Sequence, residues 1–235
     1  MTEPPLSVSF FDPAHQIYGT ARAGATLLFE GTTPAALAEG PSIERQGDRL
    51  RASLPERFSL DLEPVSEEVD LAGVAVRVCK VHGHAAGKEI DCLGTLAETR
   101  TPPAWDELDA IRSISLLVDA ENALLAVARR PRAALGHGDE LVSAALLQAG
   151  ELMSIEEARI STVYDKDGRQ RSAGLELWLP GEDFPRRGSG TVVAGSSLEL
   201  EGLLVHAAVF QWRLEEREGI GAYEVMVRNG TPTAA

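Results

Sequence analysis

The segment Arg159-Ile-Ser-Thr-Val-Tyr-Asp-Lys-Asp-Gly-Arg-Gln-Arg-Ser-Ala-Gly-Leu-Glu-Leu-Trp178 is two alternating runs around a turn. Successive side chains of a strand point to opposite faces, so a period of two marks a half-buried strand. Asp165-Lys-Asp-Gly168 is the strongest turn signal in the chain. A four-residue loop there pairs Val163 with Gln170, Ser161 with Ser172, Arg159 with Gly174 and Glu157 with Glu176. One face then carries Ala158, Ile160, Thr162, Tyr164, Ala173, Leu175, Leu177 and Leu179 and reads as core. The other carries Glu157, Arg159, Ser161, Gln170, Ser172, Glu176 and Trp178, and is either solvated or the polar lining of a lumen.

The same pattern extends outward. Phe58, Leu60 and Leu62 alternate with Ser59, Asp61 and Glu63, and Val74, Val76 and Val78 define another strand. Ser113–Val118 and Ala123–Ala128 flank a loop at 119–122. Leu203–Leu214 and Ile220–Val227 flank Glu215-Glu-Arg-Glu-Gly219. Helical signals are confined to a possible turn at 34–39 and near-helical spacing over 139–152, where strand is favoured by its neighbours. Turns recurring at strand-length intervals predict an all-β, antiparallel meander with little helix, built as barrels, half-barrels or sandwiches. Thr101-Pro102-Pro103 cannot continue a central strand, which divides the chain into N-terminal (1–103) and C-terminal (104–235) β domains.

Lys+Arg 22 against Asp+Glu 36 gives a net charge of −14. The two parts carry −6 and −8, so the acidity is spread over both, as suits colloidal solubility. Such a charge argues against a nucleic-acid partner, which needs a basic footprint. No apolar run is long enough for a membrane helix. Met1-Thr-Glu-Pro-Pro5 has neither the basic nor the apolar region of a secretory signal, and Cys79 and Cys92 are the only cysteines. A cytoplasmic location with two free thiols is therefore expected.

Four constellations could carry chemistry. Around Ala86-Gly87, antiparallel pairing puts His84 opposite Glu89 and His82 opposite Asp91, either a divalent-metal site or a solvent-facing row of charge pairs. On the 159–178 hairpin, Trp178 and Arg159 are candidate ligand-binding residues and Glu176 a candidate acid, its pKa raised by an opposed carboxylate. In the last hairpin Trp212 falls opposite Tyr223, with Gln211 opposite Glu224 and Arg213 as the partner of that carboxylate. This adds Trp212, Tyr223 and Arg213 to the binding candidates and Glu224 to the acids, with His206 in the same apolar run. His137, between glycines and before Asp139 and Glu140, completes the catalytic candidates. No phosphate loop, dinucleotide fingerprint, nucleophile elbow or spaced zinc motif is present, so no cofactor or metal is expected.

The two-part β layout, with Gly136-His-Gly-Asp139, Ser161-Thr-Val-Tyr-Asp-Lys-Asp-Gly168, Gly174-Leu-Glu-Leu-Trp178 and Gly219-Ile-Gly-Ala-Tyr-Glu224, resembles a known group. It is similar to bacterial two-domain lipocalin-like (calycin) proteins related to carotenoid 1,2-hydratase (hydroxyneurosporene synthase) and tocopherol cyclase. The resemblance implies two lipocalin-like barrels or half-barrels and an apolar, isoprenoid- or lipid-like ligand. It sometimes also implies an acid that protonates a double bond. The Asp-His-x-Trp-Gly type segment associated with that group is absent, so no catalytic residue is carried over by motif. Three functions stay open: a protein holding a small apolar molecule in a barrel cavity, a hydratase- or cyclase-type lyase or isomerase using a cavity acid, and a cavity-less carbohydrate-binding or structural sandwich. Oligomeric state is not legible.

Overall fold

The computed structural model describes residues 4–132, 134 and 138–228, together with the backbone of His137. The first curled sheet holds β1 (Leu6–Asp12), β2 (Ile17–Arg22), β3 (Ala25–Glu30), β4 (Thr33–Leu37), β5 (Ser42–Gln46), β6 (Arg49–Leu54), β7 (Phe58–Pro64), β8 (Val69–Leu71), β9 (Val74–Ala85) and β10 (Lys88–Thr99). The second holds β11 (Leu108–Asp119), β12 (Asn122–Pro131), β13 (Leu141–Gln148), β14 (Glu151–Met153), β15 (Glu157–Tyr164), β16 (Gln170–Trp178), β17 (Arg186–Leu200), β18 (Leu203–Leu214) and β19 (Arg217–Arg228). All pairings are antiparallel, and a single 3₁₀ turn at His137–Asp139 is the helical content of the described residues. The fold is all-β, two curled antiparallel sheets forming half-barrels. Within the 34–39 stretch residues 34–37 belong to strand β4, and 139–152 opens with that 3₁₀ turn before β13 and β14 meet at a turn.

Strand orders are β4-β3-β2-β1-β10-β9-β7-β6-β5 and β14-β13-β12-β11-β19-β18-β17-β16-β15, with β8 beside β9. In each sheet the first and last long strands meet in the middle: β1 pairs with β10, and β11 with β19. Tight Ala86-Gly87 and Ala149-Gly150 turns join β9 to β10 and β13 to β14. Both residues of each have positive φ, the geometry that suits the right-handed twist of a hairpin and that Gly accepts without strain.

Alternation along these strands sorts the apolar side chains into three layers. Phe10, Leu50, Leu60, Leu62, Val81 and Ile90 fill the concave face of the first sheet. Leu116, Leu124, Leu175, Phe210, Trp212 and Tyr223 fill that of the second. The third layer lies between the half-barrels, where Phe11, Tyr18, Phe29 and Val78 pack against Ile111, Leu125, Val127 and Val209. Strands apolar on both faces, such as 203–210, are therefore covered on both sides. Both concave faces are packed by their own side chains, with Phe10, Phe210, Trp212 and Tyr223 almost wholly buried.

Two registers differ from the sequence expectation. A loop one residue longer than expected, 165–169, and a bulge between Val163 and Tyr164 together move the β15–β16 pairing by two residues, so Arg159 lies opposite Glu176 and Glu157 opposite Trp178. The β18–β19 turn is tighter than the expected loop, with Glu215 at positive φ, so Trp212 lies opposite Gly219 and Tyr223 opposite Ala208. Away from the bulge both shifts are even, and even shifts keep a side chain on its face. Apart from Gln170 at the bulge, inside and outside were thus unchanged while the cross-strand partners were not.

Candidate functional site

The chemistry gathers on the concave face of the second half-barrel. Ala110, Arg112, Ile114 and Leu116 of β11 share that face, so one arginine stands in an apolar row. Its side chain and that of Glu140, just before β13, are each 2% exposed and form an ion pair. Arg112 Nη1 donates to Thr162 Oγ1 at 3.0 Å and to the Tyr223 hydroxyl at 3.1 Å, and Nη2 donates to the Ile160 carbonyl at 3.2 Å. Thr162 and Tyr223 share a further hydroxyl–hydroxyl hydrogen bond. Arg112 Nε has no hydrogen-bond partner among the described residues. Burial pushes the Tyr223 hydroxyl up to about 12, outweighing the neighbouring Arg112 charge, so it is held as a neutral donor.

This cluster borders an opening. β14 and β15 are the two edges of the second sheet, and the sheet curls until β13 packs beside β15. Between them runs an open groove of about 730 Å³ lined by Glu140, Leu141, Val142, Ala158, Ile160 and Leu175, with Arg159, Glu176 and Arg187 at its polar side. An edge strand exposes both faces along its free side, so the groove meets the apolar Ala158 and Ile160 as well as the polar Arg159.

The candidates from sequence separate into four places. Glu176, Trp178 and Arg159 sit on the convex face. Arg159 lies over the Trp178 ring, 4.8 Å from its centroid, and its Nε donates to Glu157 at 2.7 Å. Glu176 is half-exposed and takes Arg187 Nε at 3.3 Å, so the two opposed carboxylates expected there are an Arg–Glu pair instead. Trp212 and Tyr223 are on the concave face, their rings 6.3 Å apart with Phe210 between, so the aromatic layer forms by a diagonal contact. His206 is buried there too. Its Nδ1 is 2.7 Å from Ser197 Oγ, and burial, with the Arg169 charge, lowers its pKa. Gln170, expected on the polar face, crosses to this side at the bulge, where Nε2 donates to the carbonyls of His206 and Tyr223, both at 3.0 Å.

Glu224 lies between the half-barrels, and its partner is Arg22 of β2, not Arg213. Arg213 is exposed and donates to the Glu215 carbonyl at 3.0 Å. The His137 side chain lies outside the described residues. His82 and Asp91 pair at 3.2 Å on an exposed face, and among the described residues no group of three or more His, Cys, Asp or Glu is placed to hold a metal ion. Cys79 and Cys92 are free, and burial pushes both thiols up to about 12, which keeps them protonated and inert.

Sequence reasoning missed Arg112 and Arg22, and named Glu140 only as a neighbour of His137. A signal for Arg112 was present, a lone arginine in phase with Ala110, Ile114 and Leu116, one residue before the position at which the strand was expected to begin.

No family model matches the sequence, and no curated protein matches it. Solved structures do match in fold. A protein assigned as AttH from Nitrosomonas europaea superposes with a TM-score of 0.64 at 14% identity, over 95% of this chain and 92% of that one. Kievitone hydratase from Nectria haematococca gives 0.61 at 11% identity, over 97% and 90%. CghA gives 0.65 at 11% identity, over 98% and 88%. At these identities the likeness shows a shared architecture: this chain has a lipocalin-like fold of two half-barrels.

Proposed function

We propose that this protein binds a small apolar molecule in the groove at the open edge of its second half-barrel. The observation that carries this reading is the groove's composition. An apolar wall of Val142, Ala158, Ile160 and Leu175 ends at the buried Arg112–Glu140 pair, and a ligand site is typically a mostly apolar concavity with a few fixed polar groups. The packed concave faces direct the ligand to the edge and not to the centre of a barrel.

The test is binding of a polyene probe, methyl parinarate, whose fluorescence rises when it leaves water. Saturable binding is expected in the wild type and should be lost in Ala158→Trp, which puts a large ring on the groove wall, with folding checked by circular dichroism. Binding that survives Ala158→Trp, with an unchanged melting temperature, would sink the reading.

A second reading has support from one observation: the groove is lined by two carboxyl groups, Glu140 and Glu176. A positioned carboxylic acid beside an apolar ligand suits hydratase- or cyclase-type proton transfer, and one structure of like fold is a hydratase by name. Glu176→Gln should then abolish turnover of a bound alkene while leaving binding intact; on the binding reading it changes neither.

A further inference from the structure

Arg112 is carried by a strand of the sheet, and its counter-ion comes from outside the strands. Glu140 sits outside the strand ladder, ahead of β13, and only its side chain enters the concave face. Arg112, Tyr223 and Thr162 form a set of donors fixed on three strands, β11, β19 and β15, and cross-braced by their own hydrogen bonds. Such a set matches an oxyanion, because a guanidinium fork and a neutral phenol both donate. Among the described residues Arg112 Nε remains a further donor without a partner, on a side chain that is almost wholly buried. Meanwhile Glu140 is the residue common to the anion seat and to the groove wall.

We propose that the Glu140 carboxylate stands in for the carboxylate of a ligand, so that the groove selects apolar molecules carrying an acid group, which bind Arg112 by displacing Glu140. This rests on the groove being the ligand site. The physical case is one of exchange. The cost of burying the guanidinium is met by folding, so an incoming carboxylate replaces one anion with another and leaves no charge unpaired. It can also reach Nε, which Glu140 does not. A neutral ligand of the same length makes none of these bonds and leaves Glu140 in place. Glu140 thereby sets a threshold: apolar burial must add to the exchange before an acid displaces it.

The experiment compares parinaric acid with its methyl ester on the full chain. In the wild type the acid should bind about tenfold more tightly than the ester, the worth of one added charge-assisted hydrogen bond. Glu140→Gln, which is isosteric and removes the competing charge, should tighten the acid by a further factor of about ten and leave the ester unchanged. Arg112→Lys should remove the acid's advantage, with folding checked by circular dichroism. Should that variant not fold, Tyr223→Phe serves, and the acid should weaken while the ester does not. Equal affinities for acid and ester in both wild type and Glu140→Gln would overturn the proposal while leaving the groove reading intact. Failure of the ester itself to bind would overturn the groove reading first.

Discussion

The two half-barrels share one plan and differ in what they bury. The concave face of the first is largely apolar, from Phe10 through Leu60 to Ile90. The polar groups buried with it are bound locally: Asp12 Oδ1 accepts from the amides of Ala14 and His15, Asp12 Oδ2 pairs with His15 Nδ1 at 2.8 Å, and Thr26 Oγ1 donates to the Glu39 carbonyl. The concave face of the second buries Arg112 and the Glu140 carboxylate, with Gln170, His206 and Tyr223 around them. A buried ion pair rarely adds net stability, because desolvation offsets the attraction. Hydrophobic groups of the same volume would hold the second half-barrel at least as well as they hold the first. The contrast is the reason for placing the proposed ligand site in the second half; the first packs against it through the shared layer of Phe11, Tyr18 and Phe29.

The largest expected effect breaks that contrast directly. Arg112→Ala leaves Glu140 as a buried, unpaired carboxylate and should cost about 3–5 kcal/mol in urea unfolding. The double variant Arg112→Met with Glu140→Leu should recover most of this, making the second half-barrel resemble the first. Recovery of nothing would mean that the cluster is integral to folding, and that the asymmetry is structural in origin.

The next effect concerns the joint between the halves. Arg22 and Glu224 pair across the interface with side-chain exposures of 24% and 8%, and Arg22 Nη1 also contacts Met226 Sδ at 3.7 Å. Burial lowers the Arg22 pKa, and the charge and hydrogen bond of Glu224 more than restore it. Glu224→Gln should cost about 1–2 kcal/mol, less than a fully buried pair because Arg22 reaches solvent. If the halves unfold as one unit, thermal scans of Glu224→Gln keep a single transition at lower temperature. A split into two transitions would show that this pair couples otherwise independent halves.

Which parts of this were legible beforehand follows from the range of the interactions. Alternation over residues 57–63 and 159–178 is local, and it gave strands, faces and fold class correctly. Partners across hairpins depend on one or two turn residues. The bulge at Val163 and the tight turn at Glu215 left Glu224 beside Ala207 where Gln211 had been expected. Arg22–Glu224 and Arg112–Glu140 join residues far apart in the chain, one pair across the two sheets and one from strand to loop. No pattern within a strand encodes such a pairing. What the sequence did contain was each half of the question: Arg112 and Glu224 both occupy apolar phases of their strands, where a charge needs a partner from elsewhere.

The smallest effect separates the buried histidine from the ion pair beside it. His206 is neutral in the folded protein because burial, aided by the Arg169 charge, lowers its pKa below the unfolded value of 6.5. As pH falls through 6.5 the unfolded chain takes up the proton first, so unfolding becomes coupled to proton binding and stability declines. The decline ends once pH passes below the folded-state pKa, where both states are protonated. His206→Gln keeps a side chain able to bond Ser197 and removes the titration. Its stability should therefore be flatter than the wild type's between roughly pH 5 and 7, with little difference above pH 7 if the glutamine packs as well. Identical slopes in the two proteins would mean that His206 keeps an ordinary pKa when folded. The buried histidine would then contribute nothing to the pH dependence of the second half-barrel, and its burial would be a matter of packing and of the Ser197 hydrogen bond alone.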